Sequence, residues 1–240
     1  MPSTVRWGIG DVGLAISALA LSLIVGSLVA TTDATAFAVS LAGYLLIVAV
    51  IVQASLRRGQ RSLRLDFGLA FRPVDLLIGL GVGLGMRVVS TLIVLAATAA
   101  TGSTPARGNL VLSADPLWLV LNGFVVAALV APFVEELFLR GLTLQAVRNI
   151  VLRWRNREQP AEPAQQRRAI VISTIVSAAL FTLLHSGQST DATVIIAIAG
   201  STFLLGIVNA LLVFRAGRLG PAIVAHIVFN GSAVLIGALA

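Results

Sequence analysis

Seven residues stand in three runs at helical spacings, and six of them carry acid, base or amide chemistry. They are Glu135, Glu136 and Arg140 in one run, Phe181 and His185 in a second, and His226 and Asn230 in a third. Adjacent residues on a helix point about 100° apart, so Glu135 and Glu136 serve different faces. Glu136 and Arg140 stand at i and i+4 and can pair on one face. That leaves Glu135 without its natural counter-ion, and a carboxylate in a water-poor site suits general base or acid work. The chain has 2 histidines, and both lie in or at the end of apolar stretches. His226 and Asn230 also share a face at i and i+4, and an amide offers both a donor and an acceptor. A glutamate, two histidines and an asparagine on three helices can build one polar pocket inside a bundle.

The elements that must position these residues are membrane spans. The chain is 58% hydrophobic and 11% charged over 240 residues, with a mean hydropathy of +0.98. A soluble domain carries about one quarter charged residues, and a bilayer core needs roughly 20 apolar residues as helix. The blocks predict an all-α polytopic bundle of seven spans. They run from about Gly13 to Ala30, Ala36 to Ser55, Pro73 to Ala100, Leu117 past Pro132 to Leu152, Ala169 to His185, Ala192 to Phe214, and Pro221 to the C-terminus. Eight is the alternative if one long block breaks or re-enters. The first block reads as a retained span rather than a removed signal. Residues 1–116 divide from 117–240 as three N-terminal helices and a core holding the chemistry.

Arginine supplies the net charge of +7. The loops after spans two, four and six carry Arg57, Arg58, Arg61, Arg64 and Arg72, then Arg153, Arg155, Arg157, Arg167 and Arg168, then Arg215 and Arg218. The loops after the odd spans carry only Arg107. The positive-inside rule then puts the N-terminus in the cytoplasm. The arginines read as meeting anionic lipid rather than nucleic acid. Abundant alanine and the lack of lysine suggest a bacterial cytoplasmic membrane. The absence of cysteine excludes a disulfide framework and thiolate chemistry.

The three runs together, E-E-x-x-x-R, F-x-x-x-H and H-x-x-x-N, resemble the CAAX prenyl protease and bacteriocin-processing (CPBP, or Abi) family of intramembrane proteases. They occur in the family's order, and the resemblance covers roughly Leu117 to Val234. It implies an intramembrane endopeptidase in which Glu135 with His185 activates a water that attacks a peptide carbonyl. It further implies that His226 and Asn230 stabilise the oxyanion, and that Glu136 and Arg140 orient the helix. Phe181 reads as a pocket wall. There is no H-E-x-x-H motif. Zinc on Glu135, His185 and His226 is chemically reasonable, since zinc accepts two imidazoles and a carboxylate. A metal-free glutamate mechanism remains the alternative. The implied substrate is a membrane-associated peptide or protein, with lipid modification one option.

Two other classes fit the same residues. Intramembrane glutamates and histidines also build proton relays in transporters, and a non-catalytic partner, such as a bacteriocin-immunity-like protein, would keep them for folding. Taken singly, each histidine reads as an interfacial or satisfied bundle residue. Arg87, inside the third span, can pair with Asp75, reach a headgroup or hold a substrate carboxylate. Gly79, Gly81, Gly83 and Gly85 suggest close helix packing. Counted from the arginine-rich loops, Glu135 and His185 lie roughly 25 Å deep but His226 only about 9 Å. The fourth helix is therefore expected to extend into the cytoplasm, with the cavity opening to that side.

Overall fold

A computed structural model describes residues 7–102, 113–153, 162–187 and 189–239. Arg6, Arg107, Arg155, Arg157 and the middle of the long polar loop lie outside the described residues. Every regular element described is helical. They are α1 (Ile9–Val29), α2 (Asp33–Arg58), the short α3 (Leu63–Phe67), α4 (Val74–Thr101), α5 (Pro116–Leu152), α6 (Pro163–Ser186), α7 (Ala192–Ala216) and α8 (Gly220–Leu239). Seven of these are long and apolar enough to cross a membrane. The protein is an integral membrane helical bundle, and much of its outer surface is leucine, isoleucine and valine, as a lipid-facing bundle requires.

Local signals set the ends. Thr32 caps α2 by accepting from the Thr35 backbone N–H, and Asp191 caps α7 through Val194. Gly68, Gly102 and Gly217 end helices in the left-handed conformation that a side chain resists. α5 continues past Pro132, as its apolar run predicts, for 37 residues or about 55 Å. Its last turns pack against α6.

α5 is not a uniform helix. Leu119–Val130 and Leu137–Thr143 are π-helical and enclose the α-helical stretch Ala131–Glu136. The first widening has a visible cause. The Ala131 N–H bonds to the Val126 carbonyl, five residues back. One residue further in that register, the partner of the Ala127 carbonyl would be Pro132, which has no N–H. Asn230 of α8 supplies the missing donor at 2.9 Å.

The glycine stripe of α4 behaves differently from its even spacing. A Cβ on Gly83 would lie 2.6 Å from the Ala225 carbonyl oxygen of α8, and Gly79 meets α8 as closely, whereas Gly81 and Gly85 face open space. Residues four apart share a helix face and residues two apart do not, so only Gly79 and Gly83 seat α4 on α8.

Candidate active site

Glu136 is the hub of the site. Its Oε1 accepts from Asn209 Nδ2 at 3.0 Å and His226 Nδ1 at 2.9 Å, and lies 3.1 Å from Arg140 Nη1. Both partners of the Glu136–Arg140 pair are 0% exposed. The pairing expected from their spacing is present, but the guanidinium N–H bonds do not align with the carboxylate, so the contact is electrostatic. Arg140 also lies over the Phe181 ring, 4.9 Å from its centroid. Gly206 of α7 leaves room for this, because a Cβ there would come within 3.3 Å of Arg140 Nη2 and 2.9 Å of Ala178.

Glu135 turns the other way, towards a cavity. Its side chain is 20% exposed, and its Oε2 has no hydrogen-bond partner among the described residues. That oxygen lies 3.6 Å from His226 Nε2, too far for a direct hydrogen bond. His226 therefore spans the two carboxylates, with Nδ1 on Glu136 and Nε2 facing Glu135. Phe181 stands edge-on to both histidines, with ring centroids 4.6 Å from His185 and 5.3 Å from His226. His185 Nδ1 donates to the Phe181 carbonyl at 2.9 Å, which leaves Nε2 for the cavity. No ion pair joins His185 to Glu135 among the described residues.

All four expected chemical groups, Glu135, His185, His226 and Asn230, line one cavity of about 1310 Å³. A second cavity of about 350 Å³ between α1, α2 and the end of α6 also borders Glu135, Phe181 and His185, and its other walls include Leu19, Leu23, Ile47, Phe138 and Leu184.

One expectation needs correction. The large cavity reaches Ala30–Asp33, Ser113 and Val194, at the ends of the spans that carry few arginines. No described residue of the arginine-rich loops lines it, so among the described residues it opens to the other side. The reason is the length of α6, which places His185 at its far end, one residue before Ser186. Among the described residues, Glu135, His185 and His226 are not drawn together into a group of three that could hold a metal ion. His226 Nδ1 is bonded to Glu136 and His185 Nδ1 to the Phe181 carbonyl, which leaves the Nε2 atom of each ring without a hydrogen bond among the described residues. Of the three roles open to Arg87, pairing with Asp75 falls away, because Arg218 holds that carboxylate. Asn230 spends one of its two N–H bonds on the Ala127 carbonyl.

Two residues escaped the sequence reading. Asn209, fully buried, bonds Glu136 and the Ala222 carbonyl. Its signal was available, because an amide inside the apolar run Ala192–Ala216 demands partners. Tyr44 of α2 lines both cavities and stands within electrostatic reach of Glu135. Nothing in its local sequence distinguishes it from a packing aromatic.

A model of the Rce1-like family, described as type II CAAX prenyl endopeptidase Rce1-like, matches residues 116–232. That segment holds every one of the seven residues in the three runs. Comparison with curated proteins and with solved structures gives no match.

Proposed function

We propose, from the match of residues 116–232 to the Rce1-like model of type II CAAX prenyl endopeptidases, that the protein hydrolyses a peptide bond inside the bilayer with Glu135 as general base. The observation that carries this reading is the unpartnered Oε2 of Glu135 beside His226 Nε2 in a cavity large enough for a peptide segment. Buried polar atoms are nearly always bonded in folded proteins, and a lone carboxylate oxygen facing a cavity is placed for a hydrogen-bond donor that arrives from outside.

Glu135 would take a proton from a water as the water oxygen attacks the carbonyl carbon of the substrate. The π electrons of that carbonyl move to its oxygen. The oxyanion is stabilised by the second N–H of Asn230 and by His226. For this, His226 would carry a proton on each ring nitrogen, with Nδ1–H donating to Glu136 and Nε2–H to the oxyanion. Glu135 then passes its proton to the departing amine and the C–N bond breaks. Donors of this kind contribute roughly 3–4 kcal/mol each. His185 would orient the water through Nε2. Glu136, Asn209 and Arg140 position His226 without touching substrate. The 350 Å³ slot lined by leucines supports an apolar residue or a lipid chain next to the reacting carbonyl.

The test is cleavage of quenched fluorescent peptides, prenylated and unmodified, by purified protein in detergent, with and without a zinc chelator. Wild type should cut at least one peptide, and Glu135→Ala should cut none while melting as wild type does. A Glu135→Ala protein as active as wild type removes the reading.

A further inference from the structure

Arg87 lies in the middle of α4, about 20 Å of helix from either end. An arginine side chain there does not reach a headgroup. A charge at that depth costs on the order of 2.5–3.5 kcal/mol on insertion scales, so it needs partners within the bundle. The partners are known and neutral. Gly79, Gly83 and Arg87 share one face of α4, and the two glycines bring that face against the α8 backbone. The guanidinium then rests over the Phe229 ring at 4.1 Å, donates through Nε to Ser232 Oγ at 3.1 Å, and donates through Nη2 to the Phe229 carbonyl.

This leaves the cation oriented but uncompensated. Arg58, Arg140 and Arg218 each face a carboxylate. Arg87 faces none among the described residues, and neither Nη1 nor the second N–H of Nη2 is bonded there. Arg87 also lines the cavity that holds Glu135, His185, His226 and Asn230. The acids in that lining are Asp33, at its α1–α2 end, and Glu135, which belongs to the reacting group, and neither forms an ion pair with Arg87.

We propose that Arg87 is the site for the free C-terminal carboxylate of the substrate peptide. This rests on the endopeptidase reading and extends it to what the cavity recognises. The planar guanidinium presents two parallel N–H bonds through Nη1 and Nη2, the geometry that carboxylates accept in bidentate form. Register agrees. The residues that fix Arg87, Phe229 and Ser232, stand three and six positions beyond His226, or roughly 4.5 and 9 Å along α8. An extended peptide advances at most about 3.3–3.6 Å per residue. A carbonyl at Glu135 and His226 and a carboxylate at Arg87 are therefore separated by about one to three residues.

The test measures binding apart from cleavage. Glu135→Gln protein in detergent is titrated with a short apolar peptide as its free acid, with the same peptide as its C-terminal amide, and with a fatty acid of similar length. The acid is expected to bind about tenfold or more tightly than the amide. Arg87→Gln should lower the acid to the affinity of the amide and leave the amide unchanged, and Arg87→Lys should fall between. Ser232→Ala, which keeps the charge but loosens the fork, should lose part of the preference even if Arg87→Gln does not fold. Equal binding of acid and amide to Glu135→Gln protein, or a loss on Arg87→Gln shared by both peptides, overturns the assignment. A fatty acid that binds as tightly as the peptide acid overturns the peptide as occupant and makes a lipid carboxylate the ligand. Selective binding by a protein that cuts neither peptide keeps the Arg87 site and removes the endopeptidase reading instead.

Discussion

Two regions of this bundle bury carboxylates, and they use them differently. At the arginine-rich end, Asp66 accepts from Ser55 Oγ at 2.6 Å, from the Gln60 backbone and from Trp7 Nε1. Asp75 accepts from Arg218 through both oxygens and from the Arg72 backbone, and Asp11 pairs with Arg58 at 3.0 Å. Every one of these acids ties two segments together. Asp75 draws the guanidinium of Arg218, in the α7–α8 loop, above its usual affinity for protons by accepting its hydrogen bonds. Deeper in the bundle, Glu135 Oε2, Glu136 Oε2 and the Arg140 nitrogens have no hydrogen-bond partner among the described residues, and a large cavity begins at Glu135. Burial and charge do not separate the two regions. Satisfaction and access together do: saturated acids hold the structure, Glu136 keeps one unbonded oxygen sealed inside the bundle, and Glu135 turns its unbonded oxygen to the cavity.

Breaking the comparison at its functional pole gives the largest effect. Glu135→Gln should lower peptide cleavage by roughly 10³-fold or more, the loss of a general base. It should leave the melting temperature equal or higher, because it removes a carboxylate oxygen that nothing satisfies. Cleavage kinetics and a thermal melt on the same preparation check both. Its neighbour should behave oppositely. Glu136→Ala strips Arg140, His226 and Asn209 of their common acceptor, and leaving a buried charge unpaired costs about 3–5 kcal/mol. The expected result is poor folding yield and a large fall in detergent melting temperature.

Asn209→Ala sharpens the contrast within the site. It should cost about 1–3 kcal/mol of stability through the acceptors it leaves unpaired. Turnover per folded molecule should fall as well, because His226 loses its fixed partner. Asp66→Asn tests the other pole. Stability should drop by a similar amount while kcat/KM of the folded fraction stays as wild type. A catalytic defect there would erase the distinction between the two regions. The smallest perturbation concerns access. The chain has no cysteine, so Thr31→Cys at the cavity mouth and Ser62→Cys in the arginine-rich loop can each be labelled alone in sealed vesicles. The positive-inside rule predicts that a membrane-impermeant maleimide added to whole cells labels Thr31→Cys and spares Ser62→Cys.

Much of this was legible before any coordinates. Long apolar blocks fixed seven helices, because a bilayer leaves the backbone no other way to satisfy its N–H and C=O groups. The i,i+4 spacing of Glu136 and Arg140 put them together, since that contact lies within one helix. The three runs also marked the residues that would meet. What the sequence did not determine is everything that depends on which face of one helix meets another. Asn209 joins Glu136 from α7, Arg218 takes Asp75 away from Arg87, and Asn230 fills the bond that Pro132 cannot make. Each of these pairs is distant in the chain, and no periodicity encodes its partner. Helix depth was misjudged for the same reason. Counting from loops assumes straight, parallel helices, whereas the π segments of α5 and the length of α6 set where the cavity opens. The residue types and their order along each helix came from the sequence. The choice of partner, and so which carboxylate is left unsatisfied, came only from packing.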